Sequence, residues 1–403
     1  MTIGYPPKFT LRNGFPDFID LPWNQSLTQW TGICPRLEEV PRGLSRHPVV
    51  FVNYDGILFA LKELPSELAE KEYDNLLQME KLRQSSVLPQ GYVRTTTDQG
   101  QASVLITRYL NHSIPYRSLF MENQLIRYQD SLLDAIAGLM VQLHLAGIFW
   151  GDCSLSNTLF RRDDGALRAY LVDAETTEIC VDHIPPTLRH HDLEILEENI
   201  NGELAELTSF SFESDAAPIR KTGAYIRLQY QNLWEEITRE DIINPGEHYR
   251  IQERIRALNA LGFSIGDVEL FATASGNQLR LRVFVTDQNF HHDHLFNLTG
   301  VEAEEMQARK IMNEIHEHKA TLSHLNNRST PLSVAAYDWL ENIYRPTLKR
   351  LQPITNVDIS SAELYCQLLE HKWYLSEKAH RDVGHTTATE DFVNSFSSQS
   401  GIR

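Results

Sequence analysis

The sequence predicts an α+β fold of two lobes, extended by an α/β segment and a helical C-terminal segment. Three observations predict it. Strand signals and tight turns crowd residues 49–110, with one amphipathic helix among them. Long amphipathic helices dominate the remainder. Between these regions Asp152 and Asn157 stand just ahead of a short apolar run, and a second apolar run ends in Asp173. The organisation that follows is an arm over 1–35, a β-rich lobe over 36–110 and a helical lobe over 111–244. After it come an α/β segment over 245–330, a helical segment over 331–394 and a tail over 395–403.

The arm holds Pro6-Pro7, Phe15-Pro16 and Leu21-Pro22-Trp23 without clear periodicity, and reads as an ordered strap. Val49–Val52 and Ile57–Leu61 are strands joined by Asn53-Tyr54-Asp55-Gly56, a hairpin turn. Lys62 ends the second strand. That is the position of a phosphate-holding lysine, or of an edge-strand lysine that discourages aggregation. Upstream, Gly43-Leu44-Ser45-Arg46-His47 occupies the place of a glycine-rich phosphate loop, with one glycine instead of three. Ser45, Arg46 or His47 is the candidate substitute for the missing backbone cradle.

Residues 66–84 read as a helix behind Ser66 as N-cap. Leu68, Leu76, Met79 and Leu82 share a stripe, and Glu72 lies within it. An inward carboxylate needs a partner, because a buried unpaired charge is costly. Lys62 is the candidate partner; Glu70 and Glu80 lie off the stripe or at its edge. Strands over Gly91–Arg94 and Ser103–Leu110 flank Asp98-Gln99-Gly100 and lead to a hinge, with Thr107 and Tyr109 as candidate binding positions. A long helix over 124–146 carries Leu132, Ile136, Leu139, Met140 and Leu143 inward. His144 at its flank reads as a core histidine, and Gly147 stops the helix.

Then comes Phe149-Trp150-Gly151-Asp152-Cys153-Ser154-Leu155-Ser156-Asn157-Thr158-Leu159-Phe160, followed by Tyr170-Leu171-Val172-Asp173-Ala174-Glu175. Alone, the first stretch also reads as a turn before a hairpin closed by Asp163-Asp164-Gly165. Asp, Asn five on, then Asp at a strand end is the spacing of the protein-kinase catalytic loop and its metal-binding segment. Phosphoryl transfer needs a carboxylate near the attacking hydroxyl and oxygen ligands for magnesium. Asp152 fits the first role; Asn157 and Asp173 fit the second. A helix over 188–208 follows, in which Asp192 is either a brace for this loop or part of a solvated acidic face. A lobe with Lys62, a helix with Glu72, a long helix, Asp152 with Asn157, a strand and Asp173 stand in the order of a two-lobed protein-kinase-like fold.

Ala60-Leu61-Lys62-Glu63-Leu64-Pro65, Lys71-Glu72-Tyr73, the 150–160 stretch and Leu171-Val172-Asp173-Ala174-Glu175 resemble the bacterial domain-of-unknown-function 4032 family. Its members are often labelled lipopolysaccharide-kinase-like, within the protein-kinase-like superfamily. The resemblance continues through Asn277-Gln278-Leu279-Arg280-Leu281-Arg282 and Leu369-Glu370-His371-Lys372-Trp373-Tyr374-Leu375-Ser376-Glu377. It implies ATP and magnesium as cofactors, Lys62 and Glu72 in nucleotide positioning, Asp152 in catalysis, and Asn157 and Asp173 on the metal. Gly151 stands where many protein kinases have Arg, so control through an activation-loop phosphate is not implied. Ala174-Glu175 replaces Phe-Gly, which resembles small-molecule and lipopolysaccharide kinases; Glu175 is a further candidate metal ligand.

In the appended half, Asn244-Pro245-Gly246 marks a boundary. A helix with Ile251, Ile255, Leu258 and Leu261 in phase precedes strands over 268–273 and 279–286, joined through Ser275-Gly276-Asn277. Arg280 and Arg282 share a face with Phe284, which suits phosphate or nucleic acid, or a solvated face paired with acids. His291, His292 and His294 are expected in an exposed loop, with metal binding as the alternative. Helices are expected over 301–320, 333–351 and 358–382. The last carries His371, Lys372, Trp373, Lys378, His380 and Arg381, a basic segment expected to dock within the chain. The tail from Ser395 to Arg403 is expected to be disordered.

Composition limits the function. The 403 residues carry a formal net charge of −17, which argues against broad binding to nucleic acid or anionic membrane. No long uncharged apolar run is present to span a bilayer, and no basic region precedes an apolar core at the N-terminus. Cys34, Cys153, Cys180 and Cys366 are scattered, as reduced cytosolic thiols are. The expectation is a cytoplasmic ATP- and magnesium-dependent phosphotransferase acting on an unknown hydroxyl acceptor. A nucleotide-binding regulatory module with little turnover, favoured by the one-glycine loop, is the first alternative. A nucleic-acid-associated protein using the C-terminal basic surfaces is the second.

Overall fold

A computed structural model describes residues 6–14, 16–40, 46–65, 67–121, 129–180, 183–210, 222–244, 247, 249–272, 279–355 and 359–400. The chain divides into two units. Unit 1 is Met1–Arg161 with Ala169–Glu236; unit 2 is Arg162–Arg168 with Ile237–Arg403.

Unit 1 has a β-rich first lobe and a mainly helical second lobe. Its first lobe is a six-stranded antiparallel sheet of β1 (Lys8–Leu11), β2 (Leu37–Glu38), β3 (Val49–Tyr54), β4 (Ile57–Pro65), β5 (Pro89–Thr97) and β6 (Gly100–Arg108), with α1 (Leu68–Lys81) between β4 and β5. The order across the sheet is β1-β5-β6-β4-β3-β2. Asp55 and Gly56, both at positive φ, turn β3 into β4, and Asn53 Oδ1 caps the turn at Gly56 N. The arm is built into the lobe. Its strand β1 pairs with β5, and at Gly91 any Cβ would collide with the Thr10 carbonyl oxygen. Phe18, Trp23, Leu27 and Trp30 bury themselves against Val52, Phe59, Leu61 and Ile106, covering one face of the sheet.

The second lobe opens with β7 (Ile114–Pro115), α2 (Tyr116–Met121) and α3 (Gln129–Leu145). Two short pairings follow: β8 (Ile148–Phe149) with β11 (Glu178–Ile179), and the hairpin of β9 (Thr158–Asp163) and β10 (Ala166–Leu171), against which β7 lies. Helix α4 (Pro186–Phe210) packs against β8 and the loop that follows it, and α5 (Thr222–Thr238) comes next. Helix α5 lies in the stretch of the helical lobe for which the sequence predicts no element. Ile226, Tyr230 and Ile237 are buried along it, a stripe that the charged and polar residues between them obscure. Ser66, expected to cap α1, and Ala216-Ala217-Pro218 lie outside the described residues.

Unit 2 begins with a sheet of β12 (Asp241–Ile243), β13 (Ser264–Ala272) and β14 (Leu279–Asp287), ordered β12-β14-β13, with α6 (Tyr249–Ala260) between the first two. The arginine face of β14 is paired with acids. Arg280 reaches Glu240 at 3.3 Å, and Arg282 stands opposite Glu269 and over the Phe284 ring. The helices are α7 (Phe290–Thr299), α8 (Glu305–Leu325), α9 (Leu332–Trp339) leading through a π turn into α10 (Arg345–Leu351), α11 (Ser361–Ala379) and α12 (Gly384–Ser400). Ile311, Ile315, Trp339 and Tyr365 form its core.

Two expectations are corrected in this unit. His291, His292 and His294 lie on helix α7, which ends at Gly300 in the left-handed conformation; they do not lie in a loop. His291 pairs with Glu305 and His292 with the Ala303 carbonyl, and among the described residues no metal-ligand group forms around them. The start of the expected disordered tail is helical, because α12 packs Ala388 and Phe392 against Leu351, Leu364 and Leu368. On α11, His371 and Lys372 pair with Asp391 and Asp382 within the same unit. Among the described residues no helix is long and apolar enough to cross a membrane.

Candidate functional site

Strand β4 delivers Lys62 and helix α1 delivers Glu72. The Lys62 ammonium donates to both Glu72 oxygens, at 3.1 and 3.2 Å, and to Asp173 Oδ2 at 2.6 Å. Glu72 is fully buried, whereas Glu70 on the same helix is half-buried and ion-paired with Arg94. Asn75, one turn along α1, donates to the carbonyls of Ala174 and Thr177, tying the helix to the segment after Asp173.

The hairpin of β9 and β10 brings the other two groups together. Val172 N donates to the Asn157 carbonyl at 3.0 Å, so Asn157 and Asp173 flank the open end of one ladder. The Asn157 side-chain amide donates to the Asp152 carbonyl at 3.0 Å and to Asp152 Oδ2 at 3.1 Å. These two bonds use its Nδ2 and not its Oδ1. Asp192, fully buried on α4, accepts from Trp150 N and Gly151 N, both at 2.8 Å, which makes it the brace of this loop. His144 lies 3.1 Å from Asp192 and 2.8 Å from the Tyr230 hydroxyl, an internal position. Gly151 has φ +81°, and a Cβ there would crowd Thr176 O at 3.1 Å. A larger residue is strained at this position.

A cavity of about 250 Å³ opens over these groups. Lys62, Asp152, Asn157, Asp173 and Glu175 line it, and Val49, Ala60, Leu110 and Leu159 supply apolar walls. Thr107 and Tyr109 line it as well, but the Tyr109 amide is already given to the Leu58 carbonyl. Arg46, 85 % exposed, reaches to 3.6 Å from Asp152, and His47 to 3.7 Å from Glu175. Gly43 and Ser45 lie outside the described residues.

The electrostatics follow from one lysine serving two acids. Burial pushes the Glu72 carboxyl up to about 7, and Lys62 offsets only part of that. Burial also opposes the charge on Lys62, but Glu72 and Asp173 together outweigh it and hold the ammonium above its usual range. Glu72, Asp173 and Glu175 bring carboxylate oxygens within 4.8 Å of one another. Carboxylates with an amide oxygen from Asn157 are the hard donors magnesium takes, so the residues fit that ion.

Sequence reasoning missed the supports. Asn75, Asn199, which donates to the Cys153 carbonyl, and Glu203, which accepts from Leu155 N and Ser156 N, stand in no motif. The signal for Glu203 is weak: it lies eleven residues beyond Asp192, three turns along the same helix.

Residues 58–216 match the lipopolysaccharide kinase (Kdo/WaaP) family, and residues 232–396 match a domain of unknown function, DUF4032. The motifs around Lys62, Asp152 and Asp173 fall in the first match; the stretches 277–282 and 369–377 fall in the second. No curated protein matches the chain. A solved structure described as WaaP in complex with acyl carrier protein is 16 % identical, covering 63 % of this chain and 98 % of its own, with a TM-score of 0.37.

Proposed function

We propose that this chain transfers the terminal phosphoryl group of ATP to a hydroxyl acceptor, with magnesium held by Asp173, Asn157 and Glu175. The kinase-family match over residues 58–216 supports the reaction class. The observation that carries the reading is the convergence of Lys62, Asp152, Asn157 and Asp173 on one cavity. Asp152 orients the acceptor hydroxyl and takes its proton as the acceptor oxygen bonds to the γ-phosphorus. The bond from that phosphorus to the β,γ-bridging oxygen breaks, and its electron pair leaves on ADP. Lys62 holds the phosphates and Glu72 holds Lys62. The metal, when bound, neutralises phosphate charge. Thr107 and Tyr109 line the base end of the cavity. Arg46, on the cavity wall, supplies charge to the phosphates where the sequence offers one glycine instead of three; Gly43 and Ser45 are proposed to assist it. The reaction belongs in the cytoplasm, where ATP is supplied.

The test is magnesium-dependent ATP binding and turnover in the wild type, Asp152→Ala and Asp173→Ala. Asp152→Ala is expected to keep binding and to lose turnover by roughly 10²–10⁴-fold. Asp173→Ala is expected to lose the magnesium dependence of binding. A wild type that binds no nucleotide would sink the proposal. One observation favours a regulatory nucleotide-binding module instead: Arg46 sits against Asp152, the group that must meet the acceptor. Binding without turnover across sugar, lipid and protein acceptors would select that reading.

A further inference from the structure

The hairpin that ends in the proposed metal ligands has its turn in the other unit. The chain leaves unit 1 after Arg161, turns within unit 2 and re-enters unit 1 at Ala169. The turn itself, Asp164-Gly165 at positive φ, is a self-sufficient type and needs no outside support. Yet it is surrounded by polar contacts. Asp163 is buried and its Oδ1 accepts from Gln307 N at 2.9 Å, in the first turn of α8. The Gln307 side chain donates to the Arg162 carbonyl and to Glu363, both at 2.8 Å. Glu363 also accepts from Asp164 N at 3.0 Å. Lys310 donates to Asp164 at 2.7 Å, and Arg168 lies 3.5 Å from Glu304.

These contacts read both strands. Arg162 and Asp163 belong to β9 and Arg168 to β10, with Asp164 between them. A slip of one residue in either strand would turn every side chain of that strand to the opposite face and break the set together. At the other end of the same ladder, six residues or about 20 Å away, Val172 N meets the Asn157 carbonyl. We infer that Asp163, Gln307 and Glu363 are positioning residues: residues 237–403 hold the turn so that the hairpin presents Asn157 and Asp173 to magnesium in a single register. This rests on the phosphotransferase reading and adds a role for the DUF4032 segment, whose match covers Gln307, Lys310 and Glu363.

The experiment uses the full chain and measures the magnesium concentration that half-saturates ATP binding, alongside ATP binding without metal. Asp163→Ala and Gln307→Ala are expected to raise the magnesium requirement ten-fold or more and to leave metal-free ATP binding within two-fold. Asp163→Asn, which keeps the acceptor oxygen, is expected to restore the wild-type requirement. Lys310→Met, on α8 where its partly exposed side chain reaches Asp164, is a milder variant in case the alanine variants do not fold, and is expected to raise it about three-fold. Glu314→Gln, within unit 2 but away from the hairpin, is the control and is expected to lower thermal stability alone. If the turn variants lower stability like the control and leave the magnesium requirement unchanged, the positioning role is overturned while the phosphotransferase reading stands. A wild type that binds no ATP at any magnesium concentration overturns that reading, and this inference with it.

Discussion

Glu72 and Glu314 are both removed from water, and they meet opposite electrostatic ends. Glu314, on α8, accepts from His385 Nε2 at 2.6 Å, the Tyr365 hydroxyl at 2.7 Å and Trp339 Nε1 at 2.9 Å. Burial opposes its charge, but the His385 bond and the other donors outweigh burial and hold the carboxyl below its usual range. Glu72 has the Lys62 ammonium, which it shares with Asp173, and a long bond from Ala174 N at 3.4 Å. There burial wins, and the carboxyl rises to about 7. The difference is in dedicated donors. Glu314 is a finished structural pair. Glu72 waits on a lysine whose other partner is a proposed metal ligand, so anything that engages Asp173 frees Lys62 for Glu72.

The largest expected effect breaks the finished side of this comparison. Glu314→Ala strands the buried Tyr365 and Trp339 donors and the His385 ring, and is expected to cost about 3–5 kcal/mol in urea unfolding at pH 7. Its pH dependence follows from its lowered carboxyl. Stability from Glu314 is full above about pH 4.5, the ordinary glutamate value, and is lost as pH falls through the lower folded value. The gap between wild type and Glu314→Gln is therefore expected to close toward pH 3. A gap unchanged from pH 7 to pH 3 would mean that Glu314 is not held as an anion.

Glu72→Gln makes the same chemical change with the opposite sign. The folded carboxyl titrates near 7, above its unfolded value, so wild-type stability falls as pH rises from about 4.5 to 7. The amide removes that loss, and at pH 8 the variant is expected to be about 1–2 kcal/mol more stable than wild type. ATP binding is expected to weaken about ten-fold, because Lys62 keeps Asp173 as its only acid partner. Loss of stability at pH 8 would show that the Lys62 pair, and not burial, governs this acid.

The groups that line the cavity were legible because the phosphoryl-transfer motif sets residue types at short spacings. Asp152 and Asn157 are five residues apart, Asp173 ends the next strand, and Glu72 declares itself by interrupting an apolar stripe. The lobes were legible from the turn at Asp55-Gly56 and the alternation of β4. What escaped depends on distant partners. Helix α12 has few apolar residues and owes its form to packing on Leu364 and Leu368. Helix α7 is set by its Gly300 end and by Glu305, which accepts from His291 N and His292 N; the three histidines alone resembled a loop. Asp163 reads in the sequence only as a turn former. Its partner Gln307 stands 144 positions away, beyond any local pattern.

Asp163 also supplies the finest test of the comparison, because it is a buried acid of the Glu72 kind outside the cavity. Burial, then the charge of Glu304, pushes its carboxyl up to about 7; the amides of Met306 and Gln307 and the charge of Arg168 offset only part. If a raised carboxyl marks too few donors and not a role in chemistry, Asp163 must behave as Glu72 does. Its folded state keeps a proton that the unfolded chain releases, so stability declines from about pH 4 to pH 7 and stays low above. Asp163→Asn removes the charge but keeps an acceptor for Gln307 N, and is expected to gain about 1 kcal/mol at pH 8 and nothing at pH 5. Thermal unfolding at the two pH values measures it. A gain at both would assign the cost to packing, and a loss at pH 8 would mean that the α8 N-terminus needs the anion. Either result would separate Asp163 from Glu72 and leave the lysine shared with Asp173 as the distinguishing mark of the site.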